Sequence, residues 1–291
     1  MRKSFPAPEV ALAARASPLR WEEVAGGGWG INKGHWRVEL DDGRTAFAKV
    51  ALDEDAARWL RDERRVYEAV EARFMAELVG WHDGDVTLLL IEDLGDARWP
   101  PPWRDGDVEA VLATLEHVAA TPAPTGVPAL ADGRARWNGW RDVAVDPEPL
   151  LATSLCSRAW LDRALPVLLE AGETCDLDGD SLVHLDVRSD NLCFDGERVV
   201  LVDWNLACAG NPVLDVAFWL PSLTLEGGPQ PWELLDDTGG LVALVAGYFA
   251  ARAGLPPPET APRVREFQRA QAEVALPWAA RELGLPPILA P

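Results

Sequence analysis

The stretch Leu182-Val183-His184-Leu185-Asp186-Val187-Arg188-Ser189-Asp190-Asn191 decides how the rest of the chain is read. An apolar run leads into a histidine, an aspartate two residues later and an asparagine five beyond that, the spacing H-x-D-x-x-x-x-N. Asp203 arrives twelve residues after Asn191, at the end of the apolar run Val199-Val200-Leu201-Val202. Between them, Asp195-Gly196-Glu197-Arg198 has the composition of a tight turn, so Leu192–Phe194 and Val199–Leu201 are expected to pair as a hairpin. If Phe194 faces Val199, Asn191 falls opposite Val202 and beside Asp203. Amide and carboxylate oxygens gathered there, completed by phosphates and water, suit magnesium. Asp186 stands just upstream.

Working back toward the N-terminus, the chain has only three lysines (Lys3, Lys33 and Lys49), so 24 of its 27 basic residues are arginine. Lys49 sits in Ala46-Phe47-Ala48-Lys49-Val50-Ala51, an apolar strand where an ammonium either needs a partner or snorkels from an edge. A long helix is expected from about Glu54 to Val79. Its apolar stripe runs through Ala56, Trp59, Leu60, Val66, Tyr67, Val70 and Phe74. Glu63 falls on that stripe, where it either meets a cation or lies at a solvated edge. A strand lysine paired with a carboxylate on the next helix is the arrangement that holds ATP phosphates in kinase folds. Gly26-Gly27-Gly28-Trp29-Gly30 lies upstream and reads either as a plain turn or as a loop whose amides approach a phosphate. Gly28 and Gly30 fit G-x-G-x-x-G, but Lys33 takes the third position and Gly34 follows it.

The 291 residues carry a net charge of −20, which argues against a nucleic-acid or anionic-membrane partner. The charge is unevenly spread. Residues 1–91 hold 13 basic and 16 acidic groups, a net of −3, whereas 92–291 hold 14 and 31, a net of −17. The junction is marked by Val86-Thr87-Leu88-Leu89-Leu90-Ile91, then Glu92-Asp93-Leu94-Gly95-Asp96 and Pro100-Pro101-Pro102. Residues 1–91 are therefore expected to form a small β-rich lobe, 92–96 a hinge, and 97–291 a larger, mostly α-helical lobe. In the first, strands are expected near Trp21–Val24, His35–Leu40, Thr45–Leu52 and up to Ile91. In the second, helices are expected over Asp107–Ala120, Arg158–Ala171, Trp232–Ala253 and Arg263–Leu283, with one β element between Ser181 and Trp204. No apolar run approaches the roughly 20 residues that span a bilayer. Pro6, Pro8 and Glu9 stand where a signal peptide needs apolar residues. Four cysteines without a C-x-x-C pair read as reduced thiols of a cytoplasmic protein.

With these residues in view, the chain resembles the aminoglycoside phosphotransferase family, a branch of the protein-kinase-like superfamily related to the choline kinases. The resemblance runs from about Trp21 to the C-terminal helices and is most specific from His184 to Ala217. Val202-Asp203-Trp204-Asn205, then Gly210-Asn211-Pro212 and Asp215, is similar to that family's I-D-W-E…G-D-P…D-L-A. Three positions depart from it: Leu185 replaces the glycine of H-G-D, Asn205 stands for Glu and Asn211 for Asp. The resemblance implies a two-lobed protein-kinase-like α+β fold that moves the γ-phosphoryl of ATP or GTP onto a hydroxyl.

In that scheme Asp186 orients the acceptor hydroxyl and takes its proton, while Asn191 and Asp203 hold magnesium. Lys49, held by Glu63, binds the phosphates beneath Gly28 and Gly30, and His184 is structural. Arg188 either meets the γ-phosphate or pairs with a loop carboxylate such as Asp190. The base lies against Glu92, Asp93 and Leu94. The acidic larger part favours a cationic, amine-bearing small molecule as acceptor. Asp142, Asp146 and Glu148 are the candidate charges for it, and Trp137 and Trp140 the candidate stacking surfaces. Nothing in the sequence requires more than a monomer. A catalytically weak nucleotide-binding module and a metal-dependent hydrolase built on His184, Asp186 and Asp203 are the competing readings. The first is opposed by the intact Lys49, Asp186, Asn191 and Asp203, and the second leaves Lys49 and Glu63 without a role.

Overall fold

A computed structural model describes residues 4–24 and 32–288. Gly28 and Gly30 lie outside them. In chain order the elements are α1 (Ala7–Ala14), β1 (Pro18–Glu23), β2 (Lys33–Leu40), β3 (Thr45–Ala51), α2 (Glu54–Ala69), β4 (Leu78–Asp83), β5 (Thr87–Glu92) and α3 (Asp107–Ala119). The short helices α4 (Arg134–Trp137), α5 (Trp140–Val145) and α6 (Glu148–Ala152) precede α7 (Arg158–Thr174) and the strands β6 (Ser181–Val183), β7 (Leu192–Asp195), β8 (Arg198–Leu201) and β9 (Cys208–Gly210). The chain closes with α8 (Val213–Leu225), α9 (Pro231–Leu234), α10 (Leu241–Ala253) and α11 (Val264–Glu282). It divides into two units: residues 1–100, 124–127 and 189–207, and residues 101–123, 128–188 and 208–291.

In the first unit the sheet order is β1-β2-β3-β5-β4, antiparallel throughout. Strict alternation assigns the faces. Trp36, Val38 and Leu40 of β2, Ala46, Ala48 and Val50 of β3, and Leu88 and Leu90 of β5 join Val10 and Ala14 of α1 in one buried cluster. Phe47 and Lys49 therefore face the other side of β3. Helix α2 starts where Asp53 accepts a hydrogen bond from the Ala56 N–H at 2.7 Å, with Glu54 and Asp55 in its first turn. It buries Ala56, Leu60, Glu63, Val66 and Tyr67.

Helix α2 stops at Ala69 rather than running to Val79. Phe74 and Met75 continue its apolar period, but the Leu201 N–H donates to the Phe74 carbonyl and Met75 forms a parallel bridge to Leu201. The segment after that is the strand β4. Gly80 is needed there, because a Cβ would stand 2.3 Å from the Ala13 carbonyl oxygen of α1. Helix α1 itself lies where the sequence suggested no element.

The second unit is helical around α10, whose residues from Leu241 to Ala246 are all essentially inaccessible. Such an all-round apolar helix has to be sheathed on every side, and α5, α7 and α11 pack on it. The expected helix Trp232–Ala253 is broken by Gly239 and Gly240, both with positive φ, 60° and 93°. All four cysteines are buried and unpaired with one another. Among the described residues, no helix is long and apolar enough to cross a membrane.

Candidate active site

The first unit gathers Lys49, Glu63, Asp203 and Lys33. Lys49 Nζ lies 2.6 Å from Glu63 Oε1 and 3.1 Å from Asp203 Oδ1. Glu63 Oε1 also accepts the Asp203 backbone N–H at 3.1 Å. One carboxylate thus ties the strand β3 to the turn after β8. Asp203 adopts a left-handed backbone, φ 69°, which turns its side chain out of the β8 direction. Lys33 Nζ reaches the same Oδ1 at 3.2 Å, a convergence that sequence spacing did not reveal. The scarcity of lysine was the only available hint.

The charges are mutually supporting. Burial alone would lower the Lys49 ammonium, but the carboxylates of Asp203 and Glu63 push it up to about 12. Burial works to raise the Asp203 carboxyl, yet Lys33 and Lys49 hold it well below the usual carboxylate range. Burial pushes the Glu63 carboxyl upward, with Lys49 pulling it back.

The β7–β8 hairpin has Phe194 opposite Val199 and Leu192 opposite Leu201. Val202 donates its N–H to the Asn191 carbonyl at 2.9 Å, so Asn191 and Asp203 leave the end of one ladder as the sequence spacing required. Asp203 Oδ2 accepts no hydrogen bond from the described residues. No group of three or more His, Cys, Asp or Glu gathers around a metal position among the described residues. One amide and one carboxylate fit magnesium, which completes its shell with phosphate and water rather than a full protein cage.

At the connector, Glu92 pairs with Arg198 at 2.5 Å and Asp93 with Arg37 at 2.5 Å. The Leu94 carbonyl accepts from the Trp99 indole at 3.1 Å. The Leu94 N–H and the Asp93 carbonyl make no hydrogen bond within the described residues, which leaves one donor and one acceptor for a heterocycle edge.

The second unit holds the first half of the H-x-D-x-x-x-x-N stretch. His184 is fully buried, and its Nδ1 accepts the Asp186 N–H at 3.2 Å. Leu185 has φ 62°, a conformation natural for the glycine it replaces and strained for leucine. Asp215, in the first turn of α8, accepts the N–H groups of His184 at 2.9 Å and Leu185 at 2.7 Å. Burial pushes the Asp215 carboxyl up to about 7 despite those two donors. It is a loop-holding residue that pattern reading met only as one letter of D-L-A. Arg188 takes up Asp186: its Nε stands 3.4 Å from Asp186 Oδ1, and its guanidinium lies over the Phe267 ring at 5.1 Å.

The sequence profile of the phosphotransferase enzyme family matches residues 27–267. The chain belongs to this family. It is an enzyme that moves a phosphoryl group onto a hydroxyl acceptor, and its fold is the kinase-like α+β fold. A search of curated proteins finds no match. Among solved structures, a type I macrolide 2'-phosphotransferase is 19% identical, with 98% of this chain and 95% of that one covered at a TM-score of 0.51. A choline/ethanolamine kinase family protein from Mesorhizobium loti is 15% identical over 91% of each chain, at 0.52. The aminoglycoside phosphotransferase APH(2'')-Ib, solved with ADP, is 12% identical over 91% and 86%, at 0.51.

The acceptor candidates of this phosphotransferase separate into two kinds. Trp140 is wholly buried and donates its indole N–H to the Ala243 carbonyl at 2.7 Å. Trp137 is buried against Phe218 and Tyr248. Both rings are packed within the helical unit and have no open face to offer a ligand, which corrects their reading as stacking surfaces. Asp142, Asp146 and Glu148 are exposed. Glu148 is paired with Arg158, while Asp142 and Asp146 line a cavity of about 240 Å³ shared with Leu150, Arg252 and Arg265.

Proposed function

We propose that this phosphotransferase is a cytoplasmic, monomeric small-molecule kinase that transfers the γ-phosphoryl of ATP or GTP to a hydroxyl of a cationic, amine-bearing acceptor. The observation that carries the nucleotide part is the buried cluster of Lys49, Glu63 and Asp203, closed by contacts of 2.6 and 3.1 Å. Ion pairs cost desolvation when buried and are retained where the charge has a task. Here an ammonium on a strand is braced to meet phosphate.

In this reading residues 1–91 bind nucleotide, 92–96 form the hinge, and 97–291 supply the catalytic loop, the metal site and the acceptor site. Lys49 holds the α- and β-phosphates, with Glu63 fixing its position. Gly28 and Gly30, outside the described residues, are assigned to nucleotide binding on their spacing alone. Leu94 N–H and the Asp93 carbonyl, beside Glu92, bind the base edge. Asn191 and Asp203 would hold magnesium, which would supply charge neutralisation for the transferring phosphoryl group. Asp186 orients the acceptor hydroxyl and takes its proton. Its ordering comes from His184 and Asp215 behind the loop and from Arg188 beside it. Positioning and charge neutralisation carry the catalysis.

The acceptor class is argued from charge. The net of −17 over residues 92–291 and the exposed Asp142 and Asp146 concentrate cations near the helical unit. Two of the similar structures are described as acting on choline or ethanolamine and on aminoglycosides, and each of these carries positive nitrogen. ADP release measured against a panel of amino sugars, aminoglycosides and amino alcohols, with neutral sugars and nucleosides alongside, tests the proposal. Turnover confined to amine-bearing hydroxyl compounds supports it. Preference for neutral or anionic acceptors refutes the charge argument, and no nucleotide turnover with any acceptor refutes the kinase.

A further inference from the structure

The cavity of about 240 Å³ in the second unit is lined by charges of both signs. Asp142 in α5 and Asp146 just beyond it are exposed, whereas Arg252 in the last turn of α10 and Arg265 in the first turn of α11 are half-buried. Val143 and Leu150 add a buried apolar wall. The two arginines lack acids. In this unit exposed arginines take one: Arg141 pairs with Glu173 and Arg158 with Glu148. Among the described residues neither Arg252 nor Arg265 forms an ion pair, and each is held by neutral oxygens instead. Arg252 donates to the Tyr248 carbonyl at 2.9 Å and the Arg136 carbonyl at 3.2 Å, with its guanidinium over the Tyr248 ring at 4.0 Å. Arg265 donates to the Pro256 carbonyl at 3.3 Å and to Gln268 Oε1 at 2.6 Å.

A guanidinium has more N–H donors than these bonds use. Both are also fixed before any ligand arrives, which lowers the ordering cost of binding. Burial lowers each of them from its ordinary value, and Arg252 adds to the lowering of Arg265. Asp142 pulls Arg252 partly back without reaching ion-pair distance. Two like charges thus lie in each other's field in a partly desolvated place, and the group that would relieve them is an oxyanion. A plain anion, however, meets Asp142, Asp146 and the net −17 of residues 92–291, which repel it. A molecule bearing an ammonium beside its oxyanion satisfies both signs. The volume lies below the roughly 300–1,000 Å³ that takes a drug-sized ligand, so the molecule is small.

We propose that this cavity is a binding site for a small amphoteric molecule, whose carboxylate or phosphoryl group is held by Arg252 and Arg265 and whose ammonium is held by Asp142 and Asp146. The site needs no nucleotide, so it stands or falls apart from the kinase reading above.

The experiment uses the full chain without nucleotide, at low salt, with binding read by calorimetry. The probes are L-serine and O-phosphoethanolamine, which carry both charges, ethanolamine, which carries the amine alone, and inorganic phosphate. At least one amphoteric probe should bind at least about tenfold more tightly than ethanolamine and phosphate. A hydrogen bond to a charged group is worth about a decade in affinity or more, so Arg252→Gln and Arg265→Gln should each weaken that probe at least about tenfold. Asp142→Asn combined with Asp146→Asn should weaken it too, while leaving phosphate binding unchanged or tighter. Circular dichroism checks folding; Arg252 braces two backbone carbonyls, and if its variant misfolds, Arg265→Gln decides. Failure of both amphoteric probes to bind, phosphate binding as tightly as they do, or affinities indifferent to the arginine variants would each overturn the site.

Discussion

A double-mutant cycle on Lys49 and Glu63 tests whether the buried pair is the structural centre of the nucleotide site. The two side chains are 5% and 0% exposed and meet at 2.6 Å. Breaking a buried pair costs about 3–5 kcal/mol because the surviving charge stays behind uncompensated. Two features pull this case below the top of that range. After Glu63→Gln, Lys49 keeps Asp203 at 3.1 Å, and the new amide oxygen still accepts from Lys49 and from the Asp203 N–H. Only charge is lost, and about 2 kcal/mol is expected. Lys49→Met leaves a carboxylate in a fully buried position with the Asp203 N–H as its remaining donor, and about 3 kcal/mol is expected. The double variant removes both charges and should cost about 3 kcal/mol, giving a coupling of about 2 kcal/mol, well above the 0.2–1 kcal/mol of exposed pairs. Urea unfolding followed by near-ultraviolet circular dichroism, with unchanged slopes, supplies the four stabilities. The coupling should persist in 1 M salt, because buried pairs are weakly screened. A coupling under about 0.5 kcal/mol, or one that vanishes in salt, would falsify the buried clamp and with it the reason for assigning Lys49 to the phosphates.

Asp186→Ala should lower kcat by at least about a hundredfold while leaving ATP affinity within a few-fold, since a lost general base acts on the chemical step; a kcat near wild type removes Asp186 from the mechanism. At Leu185, where φ is 62° and the side chain is 4% exposed, Ala should cost about 2–5 kcal/mol through lost burial. Glycine is ordinarily about 0.5–1 kcal/mol worse than alanine, but at this position it should equal or exceed alanine in stability because it relieves about 1 kcal/mol of left-handed strain; glycine measuring clearly worse would deny the strain. Asp215, pushed up to about 7 by burial, holds a proton in the folded protein that an unfolded aspartate releases near 3.9. The native state then binds more protons over that interval, so wild type should lose stability relative to Asp215→Asn as pH rises from about 4 to about 7 and run parallel above it; parallel curves throughout would show an ionised Asp215. For a cationic acceptor, KM should rise several-fold between 50 and 500 mM salt, whereas a KM indifferent to salt counts against electrostatic capture.

What could be read in advance follows from which physics is local. The β7–β8 register was set by the turn Asp195–Arg198 and by two apolar runs, and the ladder has Phe194 opposite Val199 as pattern alone demanded. Lys49 and Glu63 were found as charges out of place in apolar periods, which is a property of each element by itself. The end of α2 was not local. Phe74 and Met75 keep a helical period, but their backbone is claimed by Leu201, 126 residues after Met75, and no helix-stop residue announces it. Strand β4 and helix α1 were hidden for the same reason, since Gly80 acquires its meaning only when the Ala13 carbonyl arrives above it.

The catalytic loop shows most clearly where letters and physics part. In the family pattern, glycine before the aspartate signals a backbone with positive φ, and a leucine there looks like the loss of that requirement. The structure shows the left-handed conformation at Leu185 and what supports it here. Leu185 remains left-handed while Asp215 accepts the consecutive N–H groups of His184 and Leu185 at 2.9 and 2.7 Å, and the leucine side chain is buried. Each backbone bond to the Asp215 carboxyl contributes about 0.5–1.5 kcal/mol while it holds its proton, so the two together offset the roughly 1–2 kcal/mol that a leucine loses in this region. The geometry that aims Asp186 is thus carried by an acid 29 residues downstream of it, and that support lets a leucine keep the left-handed backbone that a glycine adopts without strain.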